Sequence, residues 1–158
     1  MTARLRFRSP LGPLTVEASD EGIFGLSFGA GGHSQAGLSA RARAHLAAAE
    51  EALAEYFAGR PPRLPVLDLR GTAYQRAVFR ALLAIPFGEV RTYGEIAREV
   101  GGGARTVGGA NHRNPVAILV PCHRVVAVNG GIGGYGSGIE RKRWLLAHEA
   151  AHAPALRL

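Results

Sequence analysis

The chain has 158 residues, 47% of them hydrophobic and 20% charged, with a formal net charge of +7 and a pI of about 10.7. That is enough chain for a compact core in one domain or two small ones, and the composition excludes a disordered or fibrous protein. A single cysteine, Cys122, excludes an internal disulfide and a structural zinc cluster built on thiolates.

The basic surplus is uneven. Residues 1–69 hold seven Arg against seven acidic residues, whereas residues 70–150 hold eleven Lys and Arg against five Glu. An Arg-rich composition alone does not produce that asymmetry, which points to a polyanion partner for the second half. The start of the chain alternates basic and apolar residues without a long apolar core, and no stretch is apolar enough to span a bilayer. A cytoplasmic monomer with a reduced thiol and no membrane association is expected. The six histidines are read as forming no metal-ligand set, so neither a metal nor a cofactor is expected.

Leu5 and Phe7 alternate with Arg4, Arg6 and Arg8, as on a half-buried strand. Leu14, Val16 and Ala18 repeat the pattern after a Pro-Leu-Gly-Pro break, and residues 23–28 form a third strand after an Asp-Glu-Gly turn. Short links predict an antiparallel meander. A Gly-rich loop over 29–37, read as mobile, lacks phosphate-loop spacing. Ser39 can cap a helix reaching about Phe57, with Leu46, Ala49, Leu53, Tyr56 and Phe57 on one face and Gly59 at its end. Residues 60–70, with three prolines, read as an extended linker. The predicted boundary therefore separates an N-terminal α/β domain, 1–69, from a C-terminal domain, 70–158.

Two capping boxes follow, Thr72–Gln75 and Thr92–Glu95. The first opens a helix with Tyr74, Ala77, Val78, Ala81, Leu82 and Ile85 on one side. The second opens a short helix to about Val100. Gly101-Gly102-Gly103 turns the chain into another short helix, Ala104 to about Asn111. Two short helices across a glycine turn have the outline of a helix-turn-helix. The predicted class is α+β: a small antiparallel sheet with a helix, then a mainly helical, winged-helix-like domain.

The helix from Ala104 is nearly without bulk, with Val107, Gly108, Gly109 and Ala110 and one long side chain, Arg105, near its start. Each glycine weakens a helix by about 1 kcal/mol relative to alanine. Close packing on a neighbouring helix would offset that, and so would close approach to a nucleic-acid groove. An Arg on so slim a helix could take the place of a displaced base.

Asn114-Pro115 ends this helix. The apolar run Val116 to Val120 then reads as a strand leading to Pro121-Cys122-His123-Arg124. Alone, Cys122 is either a small buried hydrophobe or a reactive thiol, and the flanking Pro, His and Arg favour the latter. Adjacent side chains diverge, so a water between Cys122 and His123 is as compatible with the sequence as a direct pair. A His base works best when a carboxylate holds its other nitrogen. Glu149 is the candidate, against the alternative of a surface ion pair. A glycine-rich loop, 130–138, read as flexible, precedes a last helix, Ile139 to Ala150, with Trp144, Leu145 and Leu146 inward and a frayed tail beyond.

Pro121-Cys122-His123-Arg124-Val125-Val126, preceded by Asn114-Pro115, resembles the active-site signature of the O6-alkylguanine-DNA alkyltransferases, also called methylated-DNA–protein-cysteine methyltransferases. The resemblance runs from Tyr74 to Glu149, through Ile85-Pro86-Phe87-Gly88, Thr92-Tyr93-Gly94, Ala104 to Ala110, Gly134-Tyr135, Arg141-Lys142 and Leu145 to Glu149. It covers roughly half the chain, and residues 1–69 match only in outline.

The resemblance implies an irreversible, single-turnover transfer from double-stranded DNA containing O6-alkylguanine, with O4-alkylthymine as a further substrate. The lesion is flipped into a pocket. Cys122 is the implied acceptor, His123 the base through a water, Glu149 its orienting group, and Tyr93 a donor to the leaving purine. Asn114 is implied to brace the turn before the cysteine. Thr92, Ala104, Arg105, Gly108, Gly109, Ala110 and Arg113 are implied to meet DNA. Tyr135, Gly136, Ser137, Lys142 and Val125 are implied to line the base pocket. Arg113 departs from the family's usual small residue and is either a phosphate contact or simply solvated. Where the family often has a Ser or a bulky residue after the pocket tyrosine, this chain has the pair Gly136-Ser137, which leaves the alkyl range open.

Three other readings compete. A non-catalytic sensor of alkylated DNA would lack Cys122. A helix-turn-helix regulator would carry polar base readers where Gly and Ala stand. A cysteine hydrolase would show an oxyanion hole.

Overall fold

The computed structural model describes residues 3–31, 39–128 and 131–153. Most of the Gly-rich loop expected over 29–37, Gly130 of the second glycine-rich loop and the tail over 154–158 lie outside the described residues.

Three strands, β1 (Ala3–Ser9), β2 (Gly12–Ser19) and β3 (Gly22–Phe28), form the predicted antiparallel meander in the order β1-β2-β3. Leu5 lies opposite Val16 and Phe7 opposite Leu14, so the alternating apolar residues share one face. Leu14, Val16, Ala18, Ile23 and Leu26 are all buried on that face. Helix α1 (Ala40–Phe57) covers it, capped by the Ser39 hydroxyl accepting from Ala42 N at 3.0 Å. Ala42, Leu46, Ala49, Leu53 and Tyr56 recur at helical spacing and form its buried stripe, where the alanines permit close approach to the sheet.

The segment read as an extended linker is docked along the sheet. Ile23 N donates to Val66 O at 2.9 Å and Asp68 N to Ile23 O at 2.8 Å, making a parallel bridge on the outer edge of β3. Gly22 permits this, because a Cβ there would lie 2.7 Å from Val66 O and its φ is +147°. Further along the same edge, Leu26 N donates to Pro115 O and Ala117 N to Leu26 O, at 2.9 and 3.0 Å. One strand edge thus holds both the connecting segment and the chain leading to Cys122.

The second half contains α2 (Ala73–Leu83), α3 (Tyr93–Val100), α4 (Ala104–His112) and α5 (Ile139–His152). Both capping boxes form with both arms present, at Thr72/Gln75 and Thr92/Glu95. Helices α3 and α4 meet across Gly101 and Gly102, whose φ values of 93° and 78° place them in the left-handed region. The Tyr74 hydroxyl donates to Gly101 O at 2.9 Å and lies 3.1 Å from the Thr106 hydroxyl, which pins the turn to α2. Two short strands, β4 (Arg91–Thr92) and β5 (Val125–Val126), pair in parallel, a contact no local pattern announced.

Two expectations are corrected. Val116 to Val120 is a compact turn, with Ile118 at φ 70° and only Val116 bridging to β3. Asn114 overrides the β-propensity of the run: its Nδ2 donates to Val120 O at 2.8 Å and its Oδ1 accepts from Val116 N at 3.0 Å. In α5, which continues to His152, Leu145 is buried and Trp144 packs half-buried against the core as expected, but Leu146 is only half-buried. Lys142 and Glu149 share the inner face with Leu145, because each finds internal hydrogen-bond partners.

Candidate active site

Cys122 opens a three-residue 3-10 turn, Cys122–Arg124, and is 5% exposed. Its N–H donates to Val120 O at 2.8 Å and Arg124 N donates to Pro121 O at 3.0 Å. The Cys122 carbonyl accepts from Asn111 Nδ2 at 3.1 Å, which ties the end of α4 to the cysteine. Asn114 holds the preceding turn from both sides, as described above. Burial pushes the thiol above its ordinary range, opposed by the Asn114 side chain and the nearby Lys142 charge. At neutral pH it is a thiol that needs a base.

His123 is fully buried, and its Nε2 is hydrogen bonded to Glu149 Oε2. A carboxylate only accepts, so Nε2 carries the proton and Nδ1 the lone pair. Nδ1 is buried and has no hydrogen-bond partner among the described residues. Burial keeps the imidazole below its ordinary pKa, against the pull of Glu149. Burial also pushes Glu149 up, but hydrogen bonds and charge from His123 and Arg124 outweigh it and hold the carboxyl at about 2. Arg124 Nε donates to Glu149 Oε1 at 2.8 Å and its Nη1 to Ile85 O at 2.7 Å. Gly88 N adds a 3.0 Å bond to Oε1, and Tyr56 Oη a 2.8 Å bond to Oε2.

The remaining expected residues divide by position. Tyr93, half-buried at the start of α3, donates to Gly134 O at 3.5 Å, and its ring centroid is 5.9 Å from Lys142 Nζ. Lys142 is buried: Nζ donates to Val125 O at 2.6 Å and Gly134 O at 3.0 Å. Burial lowers its pKa to about 8, opposed by Cys122. The side chain of Val125 is in the core, leaving its carbonyl as the group that faces Lys142. The hydroxyl of Tyr135 is buried beside the Cys122 sulfur, and burial and that neighbour hold it protonated. Ser137 O accepts from Arg141, and a side chain at Gly136 would press on the His112 ring at 3.3 Å.

Thr92 is occupied in capping α3. Along α4, Ala104, Arg105 and Gly109 are exposed and Gly108 partly so, its Cβ position 3.9 Å from the Tyr93 ring. Arg113 is exposed at the C-cap. Ala110 is corrected: it is 5% exposed and packs inward with Val107 and Asn111, which share its face at helical spacing.

Sequence reasoning missed three participants. Arg124 was a quoted motif residue without a role, Asn111 a polar residue at a position that proves buried, and Tyr56 an apolar-face residue of the first half. It also passed over His148-Glu149-Ala150-Ala151-His152, which has the spacing of a helical zinc-binding pair. Here Glu149 is bound to His123 and Arg124, while His148 Nε2 bonds Tyr56 O and His152 Nδ1 bonds His148 O, at 2.7 and 2.8 Å.

Comparison with known proteins matches residues 6–69 to the ribonuclease-like domain of 6-O-methylguanine DNA methyltransferase and residues 73–151 to its DNA-binding domain. A methylated-DNA–protein-cysteine methyltransferase of Mycolicibacterium paratuberculosis is 47% identical over 152 residues, covering 93% of this chain and 92% of the relative. The crystal structure of a Mycobacterium tuberculosis O6-methylguanine methyltransferase superposes with a TM-score of 0.80 at 42% identity, covering 98% of this chain and 96% of that one. A structure of the M. tuberculosis OGT in complex with DNA gives a TM-score of 0.78 at 43% identity, covering 95% of this chain and 94% of that one.

Proposed function

The chain belongs to the 6-O-methylguanine DNA methyltransferase family, the methylated-DNA–protein-cysteine methyltransferases, and we propose that Cys122 is its alkyl acceptor. It is a DNA-binding repair protein that takes an alkyl group from damaged DNA onto cysteine. Cys122 is the one cysteine in the sequence. The observation that carries the assignment is its neighbour: a buried His123 with a free Nδ1 lone pair and its other nitrogen on an ionised Glu149.

The thiol proton passes to His123 Nδ1 through a water. The thiolate sulfur attacks the alkyl carbon, the carbon–sulfur bond forms as the carbon–oxygen bond breaks, and guanine leaves as an anion. Tyr93 donates toward the purine as that charge develops, and the proton on His123 restores neutrality. A thioether does not reverse under these conditions, so one protein accepts one alkyl group. Lys142, clamped between Val125 O and Gly134 O, favours the thiolate and holds the loop carrying Tyr135, Gly136 and Ser137 beside the base pocket. Attack at a saturated carbon needs a soft, desolvated sulfur, which the burial of Cys122 supports.

The exposed, side-chain-poor face of α4 is the surface we assign to the duplex, with Arg105 filling the gap left by the flipped nucleotide and Arg113 on phosphate. The domain boundary is placed after residue 69, supported by the short gap between the two matched segments. No helix among the described residues is long and apolar enough to cross a membrane. A cytoplasmic location is the reading that suits a DNA substrate and a free thiol.

Incubation with a duplex containing O6-methylguanine, followed by intact-protein mass, tests the assignment. We expect one methyl added per chain, and none on Cys122→Ala, which still binds DNA. A mass gain that persists in Cys122→Ala refutes it. Arg105→Ala should slow repair of the duplex more than reaction with the free base; equal losses on both remove its place in flipping.

A further inference from the structure

Glu149 is 1% exposed and receives four donors, two on each oxygen. Arg124 Nε and Gly88 N reach Oε1; His123 Nε2 and Tyr56 Oη reach Oε2. Three of these donors come from the half of the chain that holds Cys122. Tyr56 comes from α1 in the other half, 93 residues away in sequence.

The Tyr56 ring is fully buried and fixed from several sides. It meets the edges of Phe57 and Phe87 at centroid distances of 5.2 and 5.8 Å, with His123 itself at 6.4 Å. Its carbonyl accepts from His148 Nε2 at 2.7 Å. Burial and the Glu149 carboxylate keep the phenol protonated, so it is a permanent donor. Among the described residues, the titratable and charged groups that act on the His123–Glu149 pair are Tyr56 from α1, Arg124 beside it and Lys142 from α5.

The geometry points to Tyr56 as a positioning residue for alkyl transfer: its hydroxyl shares Glu149 Oε2 with His123 and sets how strongly that oxygen draws on the Nε2 proton. The N-terminal half thereby contributes to the chemistry at Cys122 and not only to the core. A carboxylate oxygen with a second donor is a weaker base, so it raises the basicity of His123 Nδ1 less. Removal of the hydroxyl strengthens the draw and moves His123 protonation to higher pH. Because the lone pair on Nδ1 must be free to take the thiol proton, the acid limb of the rate profile follows. This inference rests on the alkyl-transfer reading.

The test is the single-turnover rate of S-methylation of the full chain by a duplex containing O6-methylguanine, followed by intact mass across pH. In Tyr56→Phe the acid limb should move up by about one pH unit. Site-specific 2,3-difluorotyrosine at position 56 keeps the packing and makes a stronger donor, and should move the limb the other way. Imidazole nitrogen shifts of His123 in the unreacted protein should titrate with the same displacement, independently of DNA. Superimposable profiles for both substitutions, or a uniform fall at every pH with a lowered Tm, overturn the role of Tyr56. Failure of the wild type to gain mass instead overturns the alkyl-transfer reading, which keeps the two outcomes apart.

Discussion

A fully desolvated Glu149 remains charged because every lone-pair direction of its carboxylate is taken by a donor. Its folded pKa of about 2 lies below the ordinary 4.5, so between those values the unfolded chain binds more protons. That contribution to stability is complete above pH 4.5 and disappears as pH falls through 2. Urea midpoints measured down this range should fall in the wild type and less in Glu149→Gln. At neutral pH the same substitution leaves Arg124 buried without its counter-charge and should cost about 3–5 kcal/mol in a urea titration. It should also slow single-turnover methylation, because His123 loses the acceptor that fixes its tautomer.

The glycine-rich α4 is the element whose sequence looked least like a helix, yet it forms over Ala104–His112. Val107, Ala110 and Asn111 seat it, and Thr106 accepts from Gly103 N at 2.9 Å to cap its start. Among the described residues, nothing lies within 4 Å of where a Cβ on Gly109 would stand. Gly109→Ala should therefore stabilise the protein by about 1 kcal/mol, read as a Tm about 2–4 °C higher in a thermal melt. If this face meets the duplex as proposed, Gly109→Leu should keep the fold but weaken reaction with duplex DNA while sparing the free base, since the added bulk would obstruct the groove alone. The apolar approach to Cys122 shows the reverse conflict: a run rich in β-branched residues becomes a turn because one Asn side chain binds its two ends.

Across the whole molecule, the outer edge of β3 carries both Leu67 and Val116 in short parallel bridges, so the sheet organises the half it does not belong to. Gly22→Ala should destabilise the chain by about 1–3 kcal/mol through its positive φ, with the 2.7 Å approach to Val66 O adding to that. One cooperative transition should be seen in a melt followed by both Trp144 fluorescence and far-UV dichroism. The charge asymmetry is a property of the same scale. Affinity for duplex DNA should fall as salt rises, and Arg113→Ala should reduce the logarithmic salt slope by about one.

Local chemistry wrote much of this protein legibly. Period-two alternation set the first two strands and a turn signal the third, hydroxyl and carboxylate or amide pairs set the starts of α2 and α3, and the single thiol beside an imidazole marked the position we propose as the acceptor. Those signals act over a few residues, so they can be read without knowing the fold. The surroundings of Glu149 could not be read this way, because Tyr56, Gly88, His123 and Arg124 reach it from separate stretches of chain. That Lys142 is clamped between two carbonyls, and that Ala110 faces inward, likewise depended on which helix face found a neighbour. Burial and long-range pairing are properties of packing, and packing exists only once the two halves have come together.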